Sequence, residues 1–360
     1  MSGPTKTDTN KYEWALTDEV LRVREWASDR SYPLPPDANE AIVGTAEDCA
    51  IRVSDPSGMT SRVHARIVRD GATWTLHDFG SKNGLRLDGA VRPSFVLEPG
   101  SEIGIGNLTL IAESGRSIAL RRLLARILGW TSDRTETVDL ALRSVRAAAA
   151  RRAALVVCSE SDPISIAHGI HRVAIGAERP FVSCDPKRKS TTETVRSVRN
   201  FGSAAEAVAA AEGGSLCVWS SRLPDDFAVV RATLRRPESR VILVACSTKA
   251  PDADTFAAEP IVVPSLALRS RELSRIVDEY AEDALADAVA ERASFVPADR
   301  AWVLQHAATT LGDIETATSR IVAMRHFGGN VNRAAEFLGM AHVSLSRWLE
   351  RRGLEWPFKS

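Results

Sequence analysis

The sequence predicts a multidomain chain: an all-β sandwich, then a three-layer α/β domain, then an all-α helix-turn-helix. Three observations carry this. Between Glu40 and Ile111, short apolar runs of period two are bounded by Gly, Asp, Asn and Pro, with no helix-length pattern among them. From Ala154 onward, longer apolar runs alternate with helical stretches, the pattern of an open parallel sheet. At the far end two short helical faces meet at Gly339.

Bulk properties narrow the classes. With 360 residues and 44% hydrophobic content, the chain can bury two or three cores. Acidic and basic residues balance at 46 each, so any nucleic-acid footprint must be local. From Arg325 onward six Arg or Lys stand against three Glu, a net of +3 that permits phosphate contact. Cys49, Cys158, Cys184, Cys217 and Cys246 show no CxxC pair or ligand spacing, which predicts free, buried thiols in a reducing compartment and no metal site. The N-terminus lacks an apolar signal core, and no run reaches roughly 18 apolar residues. A cytoplasmic protein without membrane contact is the expectation.

The first domain is placed at residues 12–115, with strands at AIVG, AIRVSD, VHARIV, TWTLHD, GLRLDG, SEIGIG and LTLIAE. Within it, Ser61-Arg62-Val63-His64 is followed by Asp78-Phe79-Gly80-Ser81-Lys82-Asn83-Gly84. This resembles a forkhead-associated (FHA) domain, a sandwich that reads phosphothreonine. The resemblance implies that Ser61 donates to the phosphate, that Ser81 and Lys82 lie in the loop facing the peptide, and that Asn83 holds the peptide main chain. It gives Arg62 and His64 a bracing role, with direct contact by Arg62 left open. Gly44 matches the glycine before the family's phosphate-contacting arginine, yet Thr45 follows it. A fork-shaped cationic donor is therefore missing. Two readings stay open: phosphothreonine binding with Arg66 or Arg52 as the substitute cation, or phosphate-independent docking of a protein partner or a second copy.

Residues 116–154 read as a helical linker. IALRRLLARILGW and VDLALRSVRAAAARRA are amphipathic, and their Ala-rich faces are expected to pack on the following domain. The α/β domain is placed at 155–262, with strands in ALVVCS, PFVSCD, GGSLCVWS and RVILVACS, and a helical lid-like region at 263–312. Together with Pro264-Ser265-Leu266 and Arg271-Glu272-Leu273, these segments resemble the AAA+ module of bacterial enhancer-binding proteins, the sigma-54 activators. The departures are chemical. A nucleotide loop needs glycines and a lysine, but Val157 to Ile164 contains no glycine and has Pro163 at the lysine position. Trp219 and Ser220 stand where the resemblance implies paired acids, and no asparagine occupies the sensor position around Ala245-Cys246-Ser247. Between Cys184 and Gly213 nothing resembles the family's sigma-factor loop. A degenerate, non-ATPase domain with no catalytic residue and no cofactor is expected. Ser159 and Ser161 have no flanking elbow glycines, and His168 and His171 follow helix register. Residues 250–262 and the first ten are read as loop or disorder.

The last domain is placed at 313–360. A support helix spans Ile314 to His326, Gly328-Gly329 stop it, Asn330 caps a second helix ending near Leu338, and a third runs from His342 to Arg351. GNVNRAAEFLGMAHVSLSRWLERRGL resembles the Fis-type helix-turn-helix that ends many enhancer-binding proteins. Leu338, Leu345 and Leu349 are assigned to the core. The resemblance turns His342, Val343, Ser344, Ser346 and Arg347 to the groove, and gives phosphate to Arg333 and to Arg351 or Arg352. Trp348 replaces a commonly basic residue, extending either the core or a dimer face.

The expected whole is a transcriptional regulator that binds double-stranded DNA as a homodimer and receives a protein signal through the sandwich, with or without a phosphothreonine. The rival is an adaptor or anti-activator that engages a phosphoprotein, or an active enhancer-binding paralogue, without specific DNA binding.

Overall fold

Period-two alternation closes the N-terminal strands into two facing sheets. A computed structural model of the protein describes residues 18–150, 153–188, 198–249, 256–288 and 294–354. The expectation of loop or disorder for the first ten residues, and for 250–255, lies outside that range. Two units form: one contains residues up to Ala125 with 131–153 and 172–177, the other contains 126–130, 154–171 and everything from Glu178.

In the first unit, β1 (Val20–Glu25), β2 (Ser31–Pro33), β7 (Leu85–Leu87), β8 (Ala90–Val91), β10 (Glu102–Ile105) and β11 (Leu108–Ser114) make one sheet, ordered β2-β1-β11-β10-β7-β8. The other is β4-β3-β5-β6-β9, built from β3 (Glu40–Gly44), β4 (Ile51–Arg52), β5 (Ala65–Asp70), β6 (Thr73–Asp78) and β9 (Ser94–Val96). Val23, Val43, Ile51, Ile67, Trp74, Leu76, Leu85, Ile103 and Leu110 fill the space between them. At about 1.5–3 kcal/mol per buried large apolar side chain, this core is the main stabilising term of the unit.

β1 was not anticipated, because VLRVRE carries two arginines and reads as a polar lead. Arg24 is nevertheless 1% exposed. Its Nε donates to Glu113 at 2.7 Å, and its terminal nitrogens donate to both carboxylate oxygens of Asp139 at 3.1 and 2.5 Å. A buried guanidinium is tolerable when it is neutralised and saturated with acceptors.

Asp139 lies on a helix, and this corrects the expected packing of the linker. The two amphipathic helices are α1 (Gly115–Leu128) and α2 (Thr135–Ala149). α2 docks back on the preceding sandwich, whereas its Ala-rich face was expected to pack on the following domain. Asp139 also accepts from Ala27 N at 2.8 Å, Thr135 Oγ1 donates to Ala27 O, and Arg143 forms a two-pronged pair with Glu102, each bond 2.9 Å. Local periodicity finds the apolar face of a helix but not what covers it.

The second unit opens on six strands, all paired in parallel, ordered β14-β13-β15-β16-β12-β17. They are β12 (Leu155–Cys158), β13 (Phe181–Cys184), β14 (Arg199–Phe201), β15 (Ser215–Trp219), β16 (Ile242–Ser247) and β17 (Ile261–Val262). The four long apolar runs appear as strands; the short edge strands β14 and β17 were not read from the sequence, and β17 falls in the stretch expected to be loop. Helices α3 (Pro163–Ala174), α4 (Ala204–Ala210) and α5 (Phe227–Leu234) accompany the sheet. All five cysteines are free and buried.

On α3, His171 is buried, its Nε2 donating to Arg179 O at 3.1 Å while Nδ1 meets Ser215 Oγ at 2.8 Å. Burial pushes its pKa down from 6.5 to about 4. Unfolded, the ring protonates near 6.5, so between these values the unfolded state holds more protons. The stabilisation is present above the unfolded value and is lost as pH falls toward about 4. Histidine NMR titration is expected to find His171 neutral at pH about 5. His171→Phe should remove its share of the acid sensitivity of thermal unfolding.

Among the described residues, the α-helices that follow the sheet are α6 (Leu273–Ala288), α7 (Pro297–His306), α8 (Leu311–His326), α9 (Val331–Phe337) and α10 (His342–Arg351). α6 and α8 share a small core of Ala284, Ala288 and Val322. Asp299 of α7 pairs with Arg325 of α8 through two bonds of 2.6 and 2.7 Å. The expected lid-like region and terminal domain are thus joined across residue 313 by packing and by an ion pair. Among the described residues, no helix is long and apolar enough to cross a membrane.

Candidate functional site

In the first unit, three loops converge at one end of the sandwich. Gly44 ends β3 because a side chain cannot fit there: an added Cβ would stand 2.1 Å from Arg62 O. Thr45 N and Ala46 N donate to Ser61 O and Arg62 O, at 3.3 and 3.0 Å. Gly106, at φ 60°, leaves the room that Thr60 occupies, since its Cβ would lie 2.6 Å from Thr60 Oγ1. Backbone approach therefore sets the position of Ser61.

Buried His64 ties two loops together. Its Nδ1 accepts from Ser61 N, and its Nε2 donates to Gly84 O, each at 3.1 Å. This is the bracing role expected of it. Ser61 Oγ accepts from Lys82 N at 3.1 Å, so its position is held while its own proton has no acceptor among the described residues. Ser61 can donate to an anion without breaking any bond of the fold.

The other four candidates divide. Ser81 Oγ donates to Asp78 at 2.5 Å and accepts from Gly84 N at 2.9 Å, so its hydroxyl shapes the loop from within. Asn83 Nδ2 donates to Met59 O at 2.6 Å, which leaves the amide oxygen for a peptide N–H. The Lys82 side chain is exposed. Arg62, expected to brace, is exposed too, and among the described residues its guanidinium has no partner. Met59, Val63 and Phe79 present apolar surface in these same loops.

Asp55 and Thr60 were missed. Asp55 accepts from Ser57 N, Ser57 Oγ, Thr60 N and Thr60 Oγ1 at 2.5–3.0 Å, and these bonds hold its pKa at about 2. The turn sequence Asp55-Pro56-Ser57-Gly58 was the available signal.

Residues 41–106 match the family profile described as FHA domain. This stretch is an FHA domain. Similar solved structures include Mycobacterium tuberculosis EmbR in complex with a low-affinity phosphopeptide, 30% identical over 26% of this chain and 24% of its own, TM-score 0.23. Another is the M. tuberculosis Rv1747 FHA-1, 28% identical over 27% of this chain and 98% of its own, TM-score 0.22. A third is the FHA domain of the CT664 protein from Chlamydia trachomatis, 22% identical over 26% and 95%, TM-score 0.24. No curated protein matches the chain. The matched stretch contains every residue assigned above to the FHA site, from Ser61 to Asn83.

In the second unit, α9 and α10 form the terminal helical pair. Asn330 caps α9, accepting from Arg333 N at 3.1 Å, and Gly339 turns the chain at φ 60°. Ala334 and Ala335, both buried, allow close packing. α10 is sharply two-faced: Leu345, Trp348 and Leu349 are buried, while His342, Val343, Ser344, Arg347 and Arg351 are exposed and Ser346 is half-buried. Arg333 is exposed on α9, its guanidinium 5.9 Å from the Phe327 ring. Trp348 belongs to the core, its ring 5.9 Å from that of Trp302.

The loop between β12 and α3 satisfies itself. Asp162 accepts from Ser165 N at 3.2 Å and Ser165 Oγ at 2.6 Å, in the manner of a helix cap. Ser159 Oγ meets Ser161 Oγ at 3.2 Å, and His171 is bonded to Ser215 and Arg179, so neither serine pairs with it.

Proposed function

We propose that the protein is a transcriptional regulator without ATPase activity: its FHA domain receives a phosphothreonine-bearing protein partner, and its terminal helices bind double-stranded DNA as a homodimer. The observation that carries the DNA half is the division of α10, with an apolar face committed to its own fold and five exposed candidates on the rest. Ser344 and Arg347 offer the donors that base edges accept, Val343 suits a thymine methyl, and Arg333 and Arg351 suit phosphates. One such pair of helices covers little DNA, so two copies on half-sites a helical turn apart are expected. The phosphothreonine half rests on the FHA domain and on the anchored Ser61 hydroxyl.

The α/β domain serves as scaffold and relay. The β12–α3 loop presents a carboxylate, Asp162, where a nucleotide's phosphates would need backbone N–H groups and a lysine. A like charge at that point repels phosphate.

A second reading, an adaptor or anti-activator without specific DNA binding, draws on the FHA match at residues 41–106, a domain that needs no DNA to engage a protein partner. One experiment separates the two. Genomic fragments are selected with full-length protein beside a Ser344→Ala, Arg347→Ala double variant, at fixed salt of about 0.15 M to restrain non-specific binding. A shared inverted repeat recovered by the wild type and lost by the variant is the expected result. Scattered fragments from both proteins would replace the regulator with the adaptor.

A further inference from the structure

We propose that Arg52 supplies the guanidinium that grips the phosphate at the FHA site, taking the place of an arginine at position 45. The inference rests on the phosphothreonine reading above and names the residue that makes it chemically workable.

β4 runs parallel to β3 with Arg52 opposite Gly44, and Val53 N donates to Gly44 O at 2.9 Å. Laterally paired residues send their side chains to the same face of a sheet. The Cβ that Gly44 lacks would point at Arg62 O. Arg52 therefore leaves β4 on the face where the Ser61–Arg62 loop lies. Thr45 is joined to that loop through its N–H on Ser61 O. Arg52, Thr45 and Thr60 line one polar hollow, together with Asp55. Ser61 and Arg62 stand beside the hollow and not in its lining, linked to it by the Thr45 N–H on Ser61 O, and Arg66 sits opposite Ile42, farther back along β3.

The charges in the hollow make a cation necessary. Asp55 is ionised, locked by its four bonds, and a dianion entering the hollow would meet it. Arg52 offsets that repulsion and offers a fork of donors matched to phosphate oxygens. It is free to do so. Its ion pair, with Glu47, spans 3.7 Å between side chains 58% and 88% exposed, and exchanging such a pair for a phosphate sacrifices little. At position 45 a threonine leaves room for a side chain arriving from the neighbouring strand.

The test measures binding of full-length protein to a fluorescent pool of peptides with a fixed central phosphothreonine and degenerate flanks, and to the same pool unphosphorylated. Wild type should prefer the phosphorylated pool, and Ser61→Ala should lose that preference. Arg52→Ala should weaken binding about tenfold or more, the range for a lost charged hydrogen bond, and Arg52→Lys by less. Adding Thr45→Arg to Arg52→Ala should restore most of the affinity, which a general folding defect would not allow. Glu47→Gln should tighten binding about twofold by releasing the guanidinium. If Arg52→Ala binds like wild type while Ser61→Ala does not, or if Arg62→Ala alone reproduces the loss, Arg52 is not the clamp and the phosphothreonine reading survives. Equal binding of both pools by wild type removes the clamp and the reading together.

Discussion

Replacing Asp139 by alanine is expected to destabilise the first unit by about 3–5 kcal/mol, the range for removing one partner of a buried ion pair. The Arg24 and Asp139 side chains are 1% and 0% exposed. Asp139 accepts two bonds from the Arg24 guanidinium and one from Ala27 N, which holds Ala27 at φ 53°, a backbone region that alanine rarely adopts. Glu113 remains beside Arg24 but is shared with Arg22 at 2.7 Å. Hydrogen exchange in β1 and β11 should accelerate together, since the two strands pair along their length. Arg24→Met combined with Asp139→Leu should recover part of the loss, because the guanidinium is no longer stranded while Glu113 keeps its pair with Arg22 at 2.7 Å. Recovery distinguishes a stranded charge from lost helix packing: if the double variant is as unstable as Asp139→Ala, the cost lies in the helix and not in the charge.

Trp348→Ala is expected to cost a similar amount in the second unit, about 3–5 kcal/mol for a large aromatic removed from a core. Trp348 is 7% exposed, its ring meets Trp302 edge-on at 5.9 Å, and the guanidinium carbons of Arg320 and Arg352 lie 4.9 Å from its centroid. The loss should appear as a lower unfolding midpoint of α7 to α10. Arg347→Ala, one residue earlier and exposed, should leave that midpoint within about 0.5 kcal/mol. Under the proposed function the pair behaves oppositely on DNA. Arg347→Ala binds poorly while fully folded, and Trp348→Ala recovers binding wherever conditions restore its fold. Equal thermal stability of wild type and Trp348→Ala would remove the residue from the core and return it to the surface.

Much of the fold was legible because local chemistry dictates it. Trp74 and Leu76 alternate with Thr73, Thr75 and His77 as a half-buried strand must, and buried strands such as Leu155–Cys158 read as continuous apolar runs. Gly328, Gly329 and Gly339 all take positive φ where helices were expected to end or turn. β1 stayed hidden because its arginines mimic an exposed segment. At the FHA site, Ser61, His64 and Asn83 were nameable from motif spacing. The inward commitment of Ser81 and the bracing by Asp55 were not, since a hydroxyl or carboxylate looks the same in sequence whether it faces a ligand or its own loop.

The sequence by itself determined the sandwich, the parallel sheet, the capped terminal helices and the two faces of α10, because each follows from a period of two or 3.6 residues and from residues that stop or cap it. Tertiary structure alone decided which distant groups meet. Asp139 reaches Arg24 across 115 positions, Trp348 finds Trp302, and Arg52 comes to stand beside Gly44 on a neighbouring strand. The physical reason is that strand pairing and helix docking are settled by buried area and charge neutralisation over the whole chain, and no local period encodes which partner will be there.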